Sequence, residues 1–215
     1  MKVYNDLNPD RALIWRITHR GNLPWLLSNG MYAGNGEARS PDWITIGNEE
    51  LISRRAGRTV PLSPGGVLND YVPFYFTPFS PMMYNIHTGR GGVRWVGNDD
   101  IVILVSSLHR VAELGLPFVF TDRHAYSVTA NYYNTLASLD AVDWWLLQRR
   151  DFRRDVDDPE KVERYQAEAL VHRHMPIHGL IGAVCYTPQG EVELRQQAGR
   201  LGVQLDVRCI PTWYF

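Results

Sequence analysis

The chain has 215 residues, 45% of them hydrophobic and 21% charged, and 22 Lys and Arg against 23 Asp and Glu leave a net charge of −1. That length fits one domain spanning residues 1–215, and the composition excludes a disordered chain. The balanced charge excludes a uniformly polybasic nucleic-acid binder but leaves room for a local basic groove. No apolar run is long enough to cross a bilayer, and the opening MKVYNDLNPD is too polar for a secretion signal. Cys185 and Cys209 lie in apolar runs and read as reduced core residues, which suits a cytoplasmic protein.

In chain order, LIWRITH (13–19) reads as a strand. Asn22 then caps a short helix with Pro24 in its first turn and Gly30 at its end. Asn48 opens a second helix through ELISRRAG, and RTVPLSPGGVLND is loop. YVPFYFT (71–77) is strand-like, with Pro73 demanding an edge or a bulge. Ser80 opens a helix, IVILVSS (101–107) is a fully buried strand followed by a short helix, and FVFT is another strand. Residues 122–133 have no period and read as loop. SLDAVDWWLLQRR reads as a helix capped by Ser138, and DDPEKVERYQ as one capped by Asp157 or Asp158 with Pro159 at its first position. EALVH, GAVCYT and QLDVRCI complete the strands, with GEVELRQQAGRLG helical between the last two. Short strands with interspersed short helices indicate an α+β fold.

Chemistry-bearing motifs are few. There is no phosphate loop, and GRGG (89–92) lacks the strand-then-helix context of a dinucleotide fingerprint. His172, His174 and His178 have no carboxylate or cysteine at a ligand spacing, so no metal is expected. What stands out is a carboxylate, Glu168, before the apolar run Ala169–Val171. It is either the wet face of an alternating strand or a charge placed in a cleft for chemistry. In the cleft reading, replacing it with alanine leaves no unpaired buried charge. Arg54, Arg55 and Arg58 lie within about one helical turn, as a solvated face or as an anion site. Thr18 and His19 end a strand just before a helix, and Arg123 and His124 follow another strand.

Taken in order, ITHRGNL, LSNGMYA, IGNEELISRRAGRTVPL, DYVPFYFTPFSPMMY, RYQAEALVHRHMP and the terminal PTWYF resemble the DarT-type DNA ADP-ribosyltransferase toxins over nearly the whole chain. The resemblance implies an ADP-ribosyltransferase fold, two small β-sheets splitting to form an NAD cleft among short helices. It also implies transfer of ADP-ribose from NAD to a base of single-stranded DNA, most often thymine, and a macrodomain antitoxin as neutralising partner. Glu168 matches the family's catalytic glutamate and Arg54 its active-site arginine, with Arg55 the neighbouring register. His19 and Asn22, grouped with Thr18, match positions near NAD. One position departs: where some members carry histidine at the first position of the HxTH stretch, this chain has Arg16. For the DNA strand the expected contacts are His124, in the substrate-facing loop, with Arg123, Arg94 and Met82, the enzyme acting as a monomer. An NAD glycohydrolase, a transferase acting on RNA or protein, and a non-catalytic nucleic-acid-binding domain are the competing readings.

Overall fold

The computed structural model describes residues 4–215, and its centre is a twisted sheet whose strands follow the apolar runs. The strands are β1 (Leu13–His19), β2 (Met31–Tyr32), β3 (Tyr71–Tyr75), β4 (Ile101–Ser107), β5 (Phe118–Thr121), β6 (Tyr132–Tyr133), β7 (Glu168–His172), β8 (His174–Met175), β9 (Gly182–Cys185) and β10 (Asp206–Cys209). The large sheet runs β10-β9-β4-β1-β3-β7-β5-β6, and β2 and β8 form a separate pair. The helices are α1 (Leu23–Asn29), α2 (Glu49–Arg55), α3 (Pro81–Thr88), α4 (Leu108–Glu113), α5 (Trp144–Gln148), α6 (Lys161–Arg164) and α7 (Pro188–Arg200).

The large sheet is two half-sheets with one joint. β1 pairs with β4 along its whole length, from Leu13 opposite Ser107 to His19 opposite Ile101. β3 pairs with β7 from Tyr71 opposite His172 to Tyr75 opposite Glu168. Between β1 and β3 the only register pair is Trp15 with Tyr75. Pro73 sits where the strands have parted, so the edge position its sequence demands is supplied by the split. Its carbonyl accepts a hydrogen bond from Arg16 Nη1 at 2.8 Å instead of from a strand.

Most elements begin where side-chain capping allows. Asn48 accepts from the Leu51 N–H, and Ser80 accepts from the Met83 N–H, satisfying donors that a first turn leaves free. Gly30 ends α1 at φ 75, a conformation open to glycine. Two helix starts differ from expectation. Ser138 lies inside a 3-10 segment (Leu136–Ala141), the chain is extended at Val142, and Asp143 caps α5 by accepting from the Leu146 N–H. Likewise α6 starts at Lys161 and neither Asp157 nor Asp158 caps it, because Asp158 is held by both arms of the Arg164 guanidinium at 2.6 and 3.0 Å. Cys185 and Cys209 are free thiols on adjacent strands. No helix among the described residues is long and apolar enough to cross a membrane.

Candidate active site

The split between the half-sheets carries the polar groups. Glu168 opens β7 with only 3% of its surface exposed, on a strand buried on both faces, so the alternating-strand reading does not hold. A carboxylate so placed needs partners. Arg55 Nη1 donates to Oε2 at 2.9 Å and to Oε1 at 3.2 Å, and the Ala125 N–H donates to Oε1 at 3.0 Å. Burial pushes the carboxyl's pKa up, but Arg55, His124 and the Ala125 N–H together pull it below the ordinary value, so Glu168 is ionised at neutral pH.

Arg55 reaches Glu168 because α2 presents its consecutive arginines about 100° apart. Arg54 faces solvent and pairs with Glu50 one turn back at 2.5 Å, both side chains well exposed. Arg55 lies on the inner face with 8% exposure. The expectation for Arg54 is thus displaced by one residue: Arg55 contacts Glu168 and Arg54 does not. The Glu50–Arg54 spacing, a solvent-side ion pair at i,i+4, is the sequence signal that separates them. Arg55 Nη2 is buried without a hydrogen-bond partner, so one donor beside the carboxylate is left unsatisfied. Because Arg55 stays behind, removing Glu168 does strand a buried charge, contrary to the sequence-based expectation.

Two further side chains complete the floor. Tyr75 lies opposite Glu168 across the β3–β7 ladder; burial and then the Glu168 charge hold its phenol far above the usual value, so it remains an O–H donor. Arg16 is half-buried; burial first and Arg55 second pull its pKa down to about 10, still charged at neutral pH. Met82, in the first turn of α3, places Sδ 4.0 Å from the Tyr75 hydroxyl. Met82 therefore borders this cluster.

Thr18, His19 and Asn22 sit at the end of β1. Asn22 is buried and fully engaged: its amide donates to the Ile44 carbonyl (2.9 Å) and to Thr18 Oγ1 (3.2 Å), while its oxygen accepts the Ile44 N–H at 2.8 Å. It is a clamp holding the 44–48 segment against β1, with no donor left for a ligand and no capping bond to α1. His19 Nδ1 accepts the Gly21 N–H at 3.0 Å, which leaves Nε2 as the ring nitrogen free for another contact. Burial, with Arg20 and Arg94 nearby and Asp100 opposing, lowers its pKa, so the ring favours the neutral form.

The loop 122–131, aperiodic in sequence, is tightly tied. Thr121 Oγ1 donates to the Arg123 carbonyl (2.6 Å) and accepts the Glu168 N–H (3.2 Å), while the Tyr132 hydroxyl donates to the Ala125 carbonyl (2.6 Å). Arg58 Nη2 donates to the Ser127 carbonyl at 2.7 Å, joining the loop to the segment after α2. His124 is half-buried beside Glu168, with Nδ1 accepting the Tyr126 N–H. Arg123, expected to meet DNA, turns inward instead, with its side chain 13% exposed and paired with Asp122 and Glu160. Arg94 is exposed, next to the exposed ring of Trp95. Thr121 and the Ala125 N–H carry no motif of their own in the sequence, and Tyr75 and Arg58 lie inside the resembling stretches with no site role assigned to them by the resemblance. Among the described residues no three His, Cys, Asp or Glu side chains gather as a metal site.

A buried, ionised carboxylate beside a guanidinium with an unpaired donor, on a strand next to the joint between the half-sheets, is suited to stabilise positive charge on a sugar. The fold is that of an ADP-ribosyltransferase. DarT of Thermus sp. 2.9 in complex with ADP-ribosylated ssDNA superposes with a TM-score of 0.88 at 33% identity, covering 96% of this chain and 98% of that one. The same protein in complex with NAD+ gives 0.85, over 96% and 99%. The DNA ADP-ribosyl transferase of Escherichia coli O127:H6 is 56% identical over 209 residues, 97% of this chain and 96% of its own. Residues 15–215 match the family described as DarT, ssDNA thymidine ADP-ribosyltransferase, and the chain belongs to that family of NAD-dependent DNA ADP-ribosyltransferases.

Proposed function

We propose that this enzyme transfers ADP-ribose from NAD to thymine in single-stranded DNA with Glu168 and Arg55 as its catalytic pair, and that its product blocks replication. The observation that carries the assignment is the buried, ionised Glu168 held by Arg55 Nη1 and the Ala125 N–H. In this reading the bond between nicotinamide and ribose C1′ breaks with its electron pair leaving on nicotinamide. Glu168 stabilises the resulting oxocarbenium charge and holds the ribose 2′-hydroxyl by a charge-assisted hydrogen bond. Thymine N3 then bonds to C1′ and its proton passes to water. Arg55 keeps the carboxylate oriented and offers Nη2 to the substrate, and Tyr75 and Met82 wall the nicotinamide side.

His124 and Arg94 are the proposed DNA contacts. They support a nucleic-acid acceptor over water, protein or a non-catalytic role, since one borders the carboxylate and the other lies exposed beside an aromatic ring. The enzyme acts as a monomeric cytoplasmic toxin, countered by a macrodomain antitoxin that removes the mark. The test is intact-mass analysis of a thymidine-containing oligonucleotide incubated with NAD and protein. A mass gain of one ADP-ribose with wild type and none with Glu168→Gln is expected; an unmodified oligonucleotide with NAD consumed would make the protein a glycohydrolase.

A further inference from the structure

The split holds more positive charge than its own residues neutralise. Two guanidiniums, Arg16 and Arg55, approach one carboxylate, Glu168, which leaves one positive charge over. Arg55 Nη1 takes both carboxylate oxygens. Arg16 makes its hydrogen bond to a neutral carbonyl, that of Pro73. Tyr75 is protonated and adds no negative charge, and His124, which also borders Glu168, supplies none. A half-buried cation beside a like charge is costly unless an anion completes the site. Arg55 Nη2 is the second sign of incompleteness, a buried donor with no partner.

We infer that Arg16 is a binding residue for a phosphate group, which enters the gap between β1 and β3 and takes one arm of the Arg16 guanidinium. Phosphate oxygen fits because a planar guanidinium can hold Pro73 through Nη1 and still present Nε and Nη2 as a fork. Arg16 is only half-buried and Nη1 makes its one hydrogen bond, so Nε and Nη2 have no partner among the described residues. The phosphate comes either from the diphosphate of NAD or from the DNA backbone next to the target base. We take the diphosphate as the occupant, since the inference rests on reading the split as the NAD cleft.

The test compares wild type with Arg16→Gln, which removes the charge but keeps a donor for Pro73, and with Arg16→Lys, which keeps the charge and loses the fork. Calorimetry measures ADP-ribose, which carries the diphosphate, and adenosine, which does not; titrations over several salt concentrations measure a thymidine-containing single-stranded oligonucleotide. ADP-ribose weakened roughly tenfold or more in Arg16→Gln, with adenosine unchanged, is the expected result. Unchanged ADP-ribose with a weaker oligonucleotide and a salt slope reduced by about one phosphate would keep the phosphate site but assign it to DNA. No change in either, or parallel loss of adenosine, overturns the inference, the latter marking Arg16 as a support for the fold. If Arg16→Gln does not fold, Arg16→Lys answers the same question through the ratio of ADP-ribose to adenosine affinity. Wild-type transfer to the oligonucleotide is scored separately, so absence of activity counts against the enzymatic reading while the binding comparison remains decisive for Arg16.

Discussion

Arg55 Nη1 lies 2.9 Å from Glu168 Oε2 across a sequence separation of 113 residues, joining the last turn of α2 to the first residue of β7. Both members are buried, so each makes the other tolerable in the fold, and neither can be removed without stranding its partner. Glu168→Gln therefore has two effects. Transfer to DNA falls by about 100-fold or more, as loss of one preorganised electrostatic group does. The fold also loses on the order of 3 kcal/mol from the stranded Arg55. Product mass and thermal denaturation read the two separately, and near-wild-type turnover would remove Glu168 from the mechanism.

The neighbouring arginines should separate cleanly. Arg55→Lys keeps a charge but loses the planar guanidinium whose Nη1 meets both carboxylate oxygens and whose Nη2 is free, and activity drops roughly 10- to 100-fold. Arg54→Lys changes an exposed pair worth well under about 1 kcal/mol, and activity stays near wild type. Steady-state rates on one oligonucleotide decide it; loss confined to Arg54→Lys would restore the register suggested by the motif.

Acid should expose the carboxylate. The folded Glu168 pKa lies below its ordinary 4.5, so the ionised form is the stabilising one. Its contribution is complete above about pH 4.5 and is lost as pH falls through the folded value. The stability gap between wild type and Glu168→Gln, taken from denaturant titrations, shrinks on acidification through that range. A gap that widens there would contradict the sign.

Asn22→Ala removes both hydrogen bonds to Ile44 and the one to Thr18. About 1–3 kcal/mol of stability is lost, and the 44–48 segment that leads into α2 loosens. KM for NAD rises while kcat changes less, the pattern of weakened positioning. An unchanged melting temperature together with an unchanged KM would show that the clamp is dispensable.

His124→Ala and Arg94→Ala should weaken oligonucleotide binding and leave NAD affinity nearly unchanged, with the Arg94 variant losing about one phosphate from the salt slope. Arg123→Ala should instead loosen its own loop, because Arg123 is spent on Asp122 and Glu160. Binding titrations for DNA and for NAD on all three variants test this division, and equal loss of both ligands in His124→Ala would make that residue part of the floor.

Local chemistry made much of this legible. The run IVILVSS and the cap at Asn48 announce a buried strand and a helix start from neighbouring residues alone, whereas the carboxylate before Ala169 fits a wet strand face as well as a cleft until the resemblance decides. What stayed hidden depends on partners far along the chain. Arg123 meets Glu160, Asn22 meets Ile44, and Arg55 meets Glu168, and none of these pairings leaves a trace in local spacing. Choosing between Arg54 and Arg55 needed the helix phase, for which the Glu50–Arg54 spacing is the one local signal. The site's unusual proline became intelligible only once the strands were seen to part at Pro73.

The lone Trp15–Tyr75 pairing has a mechanical consequence. Two plates joined only by that pairing and the Arg16–Pro73 hydrogen bond resist sliding poorly, and any molecule that grips both plates acts as a further rivet. Arg16 belongs to one plate and Glu168 to the other, so a dinucleotide spanning them ties the plates together. Its affinity is then returned as stability of the whole sheet, about 2.7 kcal/mol when NAD stands a hundredfold above its Kd.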